Sequence, residues 1–208
     1  LYTFNSMESN QNNPSEHIPK LIQDRQDYGN AYSPKNLLYV TDPSHNLLIY
    51  NTETGIKETK SLEAPEPLDF GTCMAQLQNG KLFCYGRYQG SGMTLLIDEN
   101  FSVQILPSGR PCRWPSAIDF NNNVYCFGGK DENDYRLTFS RRFDLDENRW
   151  IDLAPMPQAG FFCQTVIFNG NILISAASNK NLVLYRIDID SFSIIPYDFA
   201  KNKRKILI

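Results

Sequence analysis

Short apolar runs recur along the chain at intervals of about 45 residues. The runs are LLYV at 37–40, LFCY at 82–85, VYCF at 124–127 and ILIS at 172–175, and each follows Asn or Lys. Successive runs begin 45, 42 and 48 residues apart. Such a period is typical of chains that stack one supersecondary unit several times, because each unit buries its apolar face against the next. The sequence therefore predicts a repeat protein of about four units.

Two other features share this period. In each unit a large apolar residue is followed directly by Asp or Asn, at intervals of 47, 46 and 44 residues, and a proline lies near the end of each unit. The apolar pairs are Tyr50-Asn51, Ile97-Asp98, Phe143-Asp144 and Ile187-Asp188, and the prolines are Pro65, Pro107, Pro155 and Pro196. Three independent patterns therefore identify the same repeat.

The third unit indicates how each repeat folds. Its apolar runs are rich in β-branched and aromatic residues and are separated by Asn, Asp and Gly, which is the pattern of strands and turns. Turns are predicted at Asn121-Asn122 and at 146–148. The predicted strands are Ser116 to Phe120, Val124 to Phe127, Leu137 to Phe143 and Trp150 to Leu153. Four antiparallel strands in about 45 residues form one blade of a β-propeller.

The third unit also resembles a kelch repeat. An apolar strand ends in Gly128-Gly129, and Tyr135, Phe143-Asp144, Trp150 and a proline-rich exit at 155–157 follow. The resemblance implies an all-β, kelch-type β-propeller, of which about four four-stranded blades are visible. In the other units Gly86-Arg87, Ala176-Ala177 and Thr41-Asp42 replace the glycine pair, and Val103 and Ile194 take the Trp position.

The resemblance also suggests how the chain is organised. Residues 1–29 are polar and are expected to form a leader or linker, with one short helix at 18–26. Residues 30–208 are expected to hold the blades. Kelch propellers usually have five to seven blades, so four units imply either a fragment of a longer protein or an atypical small propeller. An open array exposes sheet edges at its ends, which predicts self-association.

Four residues of the third unit are expected to have structural roles. Gly128 and Gly129 let the backbone leave the second strand at positive φ, because glycine has no Cβ. Trp150 and Tyr135 are expected to pack between neighbouring blades, since each combines a large apolar area with one polar group.

The five cysteines fit the same repeat. Cys84 and Cys126 are expected at one position of the unit and Cys73 and Cys163 at another, while Cys112 makes the number odd. No C-x-x-C spacing occurs, which argues against a zinc ribbon or a disulfide framework. The cysteines are therefore predicted to be buried core residues with free thiols, which indicates a reducing, cytoplasmic location.

Composition excludes several classes of partner. The chain has 20 Lys and Arg against 23 Asp and Glu, and its pI is near 5.4, so no basic footprint for nucleic acid exists. No run of 18 apolar residues occurs, so no membrane span is expected. The only histidines are His17 and His45, and no phosphate-binding glycine loop is present, so no metal site, cofactor or catalytic residue is predicted.

Three groups of residues are candidates for contacts with a partner. They are Arg110, Arg113 and Trp114 at the entrance to the third unit, Arg87 and Tyr88 in an expected loop of the second unit, and Phe161-Phe162 at the start of the fourth, where a core role is the simpler interpretation. Arg113 is expected to align with Gly71 and Phe161. Because a guanidinium can donate two parallel hydrogen bonds to a carboxylate, an acidic, extended peptide is the expected ligand.

The function favoured by the resemblance is a protein-protein interaction module that binds its partner through loops on one face. Such a module serves as a substrate adaptor or as a cytoskeletal scaffold. The alternative is a propeller enzyme of the galactose-oxidase or sugar-acid isomerase type. An oxidase of that type needs copper held by two His and two Tyr, and both histidines precede the first clear blade, so a non-enzymatic role is predicted.

Overall fold

The structure is a computed structural model, and it describes residues 37–41, 46–51, 53–55, 57–64, 71–88, 90–176 and 181–196. Within these residues the chain is almost entirely β-structure, with one 3-10 turn at Ile187–Ile189. The predicted leader, the predicted helix at 18–26 and both histidines lie outside the described residues. In the part of the chain that is described, no helix is long and apolar enough to cross a membrane.

Four antiparallel sheets follow one another along the chain. Sheet one is described for three strands, β1 (Leu37–Thr41), β2 (Asn46–Asn51) and β3 (Lys57–Ser61). Sheet two contains β4 (Cys73–Gln76), β5 (Leu82–Tyr88), β6 (Ser91–Ile97) and β7 (Val103–Ile105). Sheet three contains β8 (Ser116–Phe120), β9 (Asn123–Phe127), β10 (Ser140–Asp144) and β11 (Arg149–Asp152). Sheet four contains β12 (Gln164–Phe168), β13 (Asn171–Ser175), β14 (Asn181–Arg186) and β15 (Ser191–Pro196).

Each sheet is a simple meander, because hydrogen-bonded neighbours are always consecutive in the sequence. The first strands of sheets two, three and four, which are β4, β8 and β12, lie beside one another. Neighbouring sheets share apolar clusters and so pack face to face. The architecture is that of a small β-propeller of about four blades, which confirms the predicted all-β fold class.

The recurring Asp or Asn closes the turn between the last two strands of a sheet. Asn51, Asp98 and Asp144 each accept two backbone N–H hydrogen bonds through a side-chain oxygen, at 2.9 to 3.2 Å. This is the local bond that lets Asx residues stabilise turns. In sheet four the turn is the 3-10 segment instead, and Asp188 pairs with Arg186 at 3.3 Å.

The third strand of sheet three is shorter than predicted. It begins at Ser140 and not at Leu137. The Leu137 backbone turns away from the sheet because its N–H donates to the Gly129 carbonyl at 2.9 Å and its carbonyl accepts from Gly160 at 3.1 Å. Residues 137–139 therefore belong to the loop that connects β9 to β10.

Three apolar clusters form the interior, and each lies between two neighbouring sheets. The cluster between sheets two and three contains Phe83, Tyr85, Val124, Cys126, Phe139 and Phe143. All five cysteines are buried and free, as predicted. Strand register pairs Cys73 with Tyr85 and Gln164 with Ser175. Cys163 is therefore one position out of step with Cys73, and the prediction of a shared position was wrong.

Trp150 joins sheet three to sheet two. Its ring centroid lies 4.6 Å from that of Tyr85 and 6.0 Å from that of Phe83, and its indole N–H donates to the Pro107 carbonyl at 3.0 Å. The side chain is half-buried. It thus lies between two sheets and also satisfies its polar group.

The equivalent of Trp150 in sheet four is Phe192. Register pairs Phe143 with Trp150 and Tyr185 with Phe192, so the assignment of the Trp position to Ile194 was wrong. The ring of Phe192 contacts Phe127 of sheet three at 6.2 Å between centroids. The prediction missed this residue because spacing alone does not show which residues form the four-residue tip of the β14–β15 hairpin.

Tyr135 does not pack between blades, and that prediction was wrong. Its side chain is 69% exposed. Its backbone is held in a tight loop, in which the Tyr135 N–H donates to the Asp131 carboxylate at 2.9 Å and its carbonyl accepts from Asp131 at 3.0 Å. The loop directs the Tyr135 side chain away from the sheets, so the position of this residue in the repeat has no packing role.

On sheet four, Phe168, Ile194 and Ile195 are exposed by 54, 44 and 38%. These apolar side chains lie on the last described sheet of the array. Self-association through this end of the molecule stays a prediction.

Candidate interaction surface

Three loops meet at one end of the sheets and form what we call the loop face. They are residues 106–115 between β7 and β8, residues 128–139 between β9 and β10, and residues 153–163 between β11 and β12. Arg113 and Lys130 exchange two backbone hydrogen bonds at 2.8 and 2.9 Å, and the Gly129 N–H donates to the Gly160 carbonyl at 2.8 Å. The loops are thus bound to one another and hold their side chains in fixed positions.

The glycine pair permits this close approach of the loops. Gly128 and Gly129 both have positive φ, of 70° and 104°. A Cβ at Gly128 would lie 2.6 Å from the Gly160 carbonyl oxygen, and one at Gly129 would lie 2.8 Å from the Arg113 carbonyl oxygen. Neither contact is sterically possible, so the two glycines are needed both for their backbone conformation and for their lack of a side chain.

Arg113 already has a carboxylate partner within the chain. One of its terminal nitrogens lies 2.8 Å from an Asp134 carboxylate oxygen, and the Lys130 ammonium lies 3.8 Å from the same oxygen. The Asp134 side chain is 62% exposed, whereas that of Arg113 is 26% exposed. The sequence did not predict this pairing, because the two residues are 21 positions apart.

Cations and aromatic rings alternate across the loop face. The guanidinium carbon of Arg113 lies 5.1 Å from the Trp114 ring centroid, and the Lys130 ammonium lies 5.3 Å from it. Lys130 also lies 4.6 Å from the ring of Phe161, and Arg136 lies 5.2 Å from that ring. A cation over a ring is attracted by the negative face of the π system.

The Phe162 ring completes this arrangement, with its centroid 5.3 Å from Trp114 and 5.0 Å from Phe161. Phe162 is 53% exposed, so the simple interpretation as a core residue was wrong for it. We call this group the aromatic–cationic cluster. Its members are Arg113, Trp114, Lys130, Arg136, Phe161 and Phe162.

Two aromatic members of the cluster have a strained backbone. Trp114 has φ of 56° and Phe162 has φ of 49°, which is the left-handed region that bulky residues rarely adopt. Strand register places the two residues at the same position, two residues before the start of the first strand of their sheets. The same register aligns Gly71 with Trp114, so the expected alignment of Gly71 with Arg113 was wrong. Such strain is found where the surrounding structure supports a functional geometry.

Arg110 is exposed and is not a member of the aromatic–cationic cluster. Its carbonyl accepts a hydrogen bond from the Tyr85 hydroxyl, which fixes its backbone against sheet two. Its guanidinium forms no ion pair with any described residue. Arg110 and Arg136 line one cavity, so the structure brings these two cations to the same place.

The sequence predicted a loop at Arg87 and Tyr88. In the structure these two residues are instead the last residues of strand β5. Arg87 pairs in register with Gly92, and Tyr88 pairs with Ser91. Arg87 of the second unit occupies the position of Gly129 in the third. Strand β5 therefore continues past this position and stays paired with β6 in a hairpin. The structure thus gives these two residues a place in the sheet, and their role as contact residues stays a prediction.

Sequence reasoning missed Lys130, Asp134 and Arg136. These residues lie in the polar stretch after the glycine pair, and charged residues in such a stretch are usually only solvated. The position of these residues in the unit was the available signal. The loop between the second and third strands opens on the same face as the loop before the first strand, where Arg110, Arg113 and Trp114 lie.

The buried thiols are not suited to nucleophilic chemistry. Burial raises the pKa of Cys112 to about 12 and that of Cys163 to about 11, so both stay protonated at neutral pH. Among the described residues, no group of three His, Cys, Asp or Glu side chains is placed to hold a metal ion.

The comparisons with known proteins point to one kind of relative. Over 91 residues the chain is 28% identical to Kelch-like protein 23 of Homo sapiens. The chain is similar to a kelch-like protein. The match covers 44% of this chain and 14% of that relative, and no family model matches the chain. This similarity and the four successive β-sheets are consistent with kelch repeats.

Proposed function

We propose that this chain is a protein-protein interaction module that binds an acidic, extended peptide segment of a partner through the aromatic–cationic cluster. The observation that carries the proposal is the position of Lys130 and Arg136 over the ring of Phe161, at 4.6 and 5.2 Å. The cluster contains three cations, of which Arg113 and Lys130 pair with Asp134, while Asp131 and Glu132 of the same loop form no ion pair with a described residue. The positive charge of the cluster itself favours an acidic partner.

Different members of the cluster would make different contacts. Arg113 and Lys130 both lie near Asp134, at 2.8 and 3.8 Å, so Arg136, which forms no ion pair with a described residue, is best placed to receive a carboxylate of the peptide. The exposed ring of Phe162 and the half-buried indole of Trp114 offer flat apolar surfaces between these charges. Trp and Arg are frequent energetic centres of interfaces because they combine a large contact area with hydrogen bonding.

The cellular role that we propose is a substrate adaptor or a cytoskeletal scaffold in the cytoplasm, without catalysis. The similarity to a kelch-like protein supports binding over catalysis. Burial keeps the thiols of Cys112 and Cys163 protonated, so neither thiol is a reactive nucleophile at neutral pH.

Selection from displayed peptide pools tests this proposal. Three pools of decapeptides, which are acidic, basic and apolar, are selected against the wild-type protein and two double variants. Lys130→Gln/Arg136→Gln removes two cations of the cluster. Lys57→Gln/Lys60→Gln is the matched control, since it removes the same charge from β3 of sheet one.

We expect the acidic pool to be enriched, with affinity that falls as salt rises. The cluster variant should lose roughly tenfold or more in affinity, because charge-assisted hydrogen bonds are lost, whereas the control keeps its affinity. Enrichment of basic or apolar peptides, or an equal loss in both variants, would contradict the proposal.

A further inference from the structure

A cavity of about 340 Å³ lies on the loop face beside the aromatic–cationic cluster. Its walls come from the start of β10, the end of β11 and the loop before β8, so it sits at the outer half of sheet three. The residues that matter for its chemistry are Arg110, Arg136, Arg141 and Asp152.

The cavity has an excess of two positive charges. Asp152 neutralises Arg141, with the two side chains 2.5 Å apart, and Arg141 is further held over the Trp150 ring at 5.3 Å. Arg110 and Arg136 form no ion pair with any described residue. Two guanidinium groups are therefore free to donate hydrogen bonds to a bound anion.

We propose that this cavity binds the phosphate group of a phosphorylated side chain in the partner peptide. A phosphate monoester carries nearly two negative charges at neutral pH and three acceptor oxygens, which match the charge of two free guanidinium groups. A carboxylate carries one charge and would leave the two guanidinium groups with an excess positive charge. The proposal deepens the proposed function and rests on it, because the peptide that crosses the cluster would continue into the cavity.

Arg136 connects the two parts of the surface. It lies over the ring of Phe161 in the cluster and also forms a wall of the cavity. A peptide bound over the cluster therefore has its neighbouring residues close to the phosphate subsite, and phosphorylation would add contacts without displacing the others.

Titration with two small probes tests the subsite separately from peptide binding. The probes are N-acetyl-O-phosphoserine methylamide and N-acetylglutamate methylamide, compared by NMR chemical-shift titration at constant ionic strength. The variants are Arg110→Gln and Arg136→Gln. Arg149→Gln is the control, because it removes the same charge from an exposed residue of β11 at the opposite end of sheet three.

The phosphoserine probe should bind roughly tenfold more tightly than the glutamate probe. Arg110→Gln and Arg136→Gln should each weaken it by about tenfold, whereas Arg149→Gln changes it by less than about twofold. Thermal melting of every variant shows that a lost affinity does not reflect unfolding.

Two results separate failure of this inference from failure of the proposed function. If the phosphoserine probe binds no better than the glutamate probe while acidic peptides are still enriched, the phosphate subsite is wrong and the interaction module stands. If the phosphoserine probe binds as described and no peptide pool is enriched, the subsite stands and the proposed function is wrong. An equal loss in Arg149→Gln and Arg110→Gln would overturn the subsite, since only bulk charge would then matter.

Discussion

The Trp150 indole lies 4.6 Å from the Tyr85 ring, measured between centroids, and joins two neighbouring sheets through that contact. The same indole contacts Phe143 of its own sheet at 5.2 Å and donates to the Pro107 carbonyl at 3.0 Å. One side chain therefore holds together two sheets and the segment that connects them. The stability of the array depends on this contact more than on any exposed aromatic residue.

Replacing Trp150 with Ala should lower the free energy of unfolding by about 3 kcal/mol, the lower end of the range for a large core residue, since Trp150 is half-buried. Denaturant unfolding measures the change. Tyr135→Ala is the control, because that side chain is 69% exposed and should change stability by less than about 0.5 kcal/mol. A loss below about 1 kcal/mol for Trp150→Ala would show that the contact with Tyr85 is not stabilising.

Replacing Asp134 with Asn should strengthen the binding of acidic peptides. The Asp134 carboxylate lies 2.8 Å from Arg113 and so occupies a guanidinium that a peptide carboxylate would otherwise contact. The Asp134 side chain is 62% exposed, so solvent screens the pair, which limits the gain to about two- to fivefold. Fluorescence anisotropy with a labelled acidic decapeptide measures the change. Glu132→Gln removes the same charge from an exposed residue of the same loop and should produce a smaller gain; an equal gain would mean that Asp134 does not compete directly.

Replacing Gly128 with Ala should destabilise the protein more than the same change at Gly170. Both glycines have φ of 70°, so the cost of the backbone conformation is the same. A Cβ at Gly128 would lie 2.6 Å from the Cys163 sulfur, whereas nothing lies within 4 Å of one at Gly170. The difference in the free energy of unfolding should be about 1–3 kcal/mol, the usual cost of overpacking. Equal costs would show that the loops do not need this close approach.

The buried carboxyl of Asp119 should make stability depend on pH. Only 2% of this residue is exposed, and burial raises its pKa from 3.8 to about 6, while the hydrogen bond from the Gln78 N–H lowers it by less. The folded chain therefore holds this proton more tightly than the unfolded chain. Its contribution to stability is fully present below about pH 4 and is lost as pH rises to about 6, with a total of about 2–3 kcal/mol.

Comparison of the wild type with Asp119→Asn isolates this effect, because the amide oxygen can still accept from Gln78. The difference in free energy of unfolding between the two proteins should change across pH 4 to 6 and stay constant above that range. A difference that is independent of pH would mean that Asp119 titrates normally in the folded protein.

The fold could be predicted because strands and turns leave local patterns. The turn at Asn121 and Asn122 is present with both residues at positive φ, and the strand Ser116–Phe120 has the predicted bounds. The start of the third strand was misplaced, because Leu137 leaves the sheet to bond with Gly129 and Gly160. That choice depends on a neighbouring sheet, and no local pattern reports it.

The interaction surface could be predicted only in part. The sequence placed Arg110, Arg113 and Trp114 correctly at the entrance to β8, since that entrance follows from the strand pattern. It did not show that Asp134 pairs with Arg113 or that Arg136 meets Arg110 at one cavity. These contacts join different loops, so they follow from the tertiary structure and not from spacing along the chain.

Among the described residues the apolar clusters lie only between adjacent sheets, and this has a consequence for how such a chain changes in evolution. Sheets two and three each share a cluster with both neighbours, and no cluster of described residues joins sheets that are not adjacent. Duplication or deletion of a unit therefore alters one junction and leaves distant ones intact. Sequence changes are equally local. One unit can therefore have Phe192 at the Trp position and another can have Arg87 at a glycine position, while the third unit keeps both the Trp and the glycine.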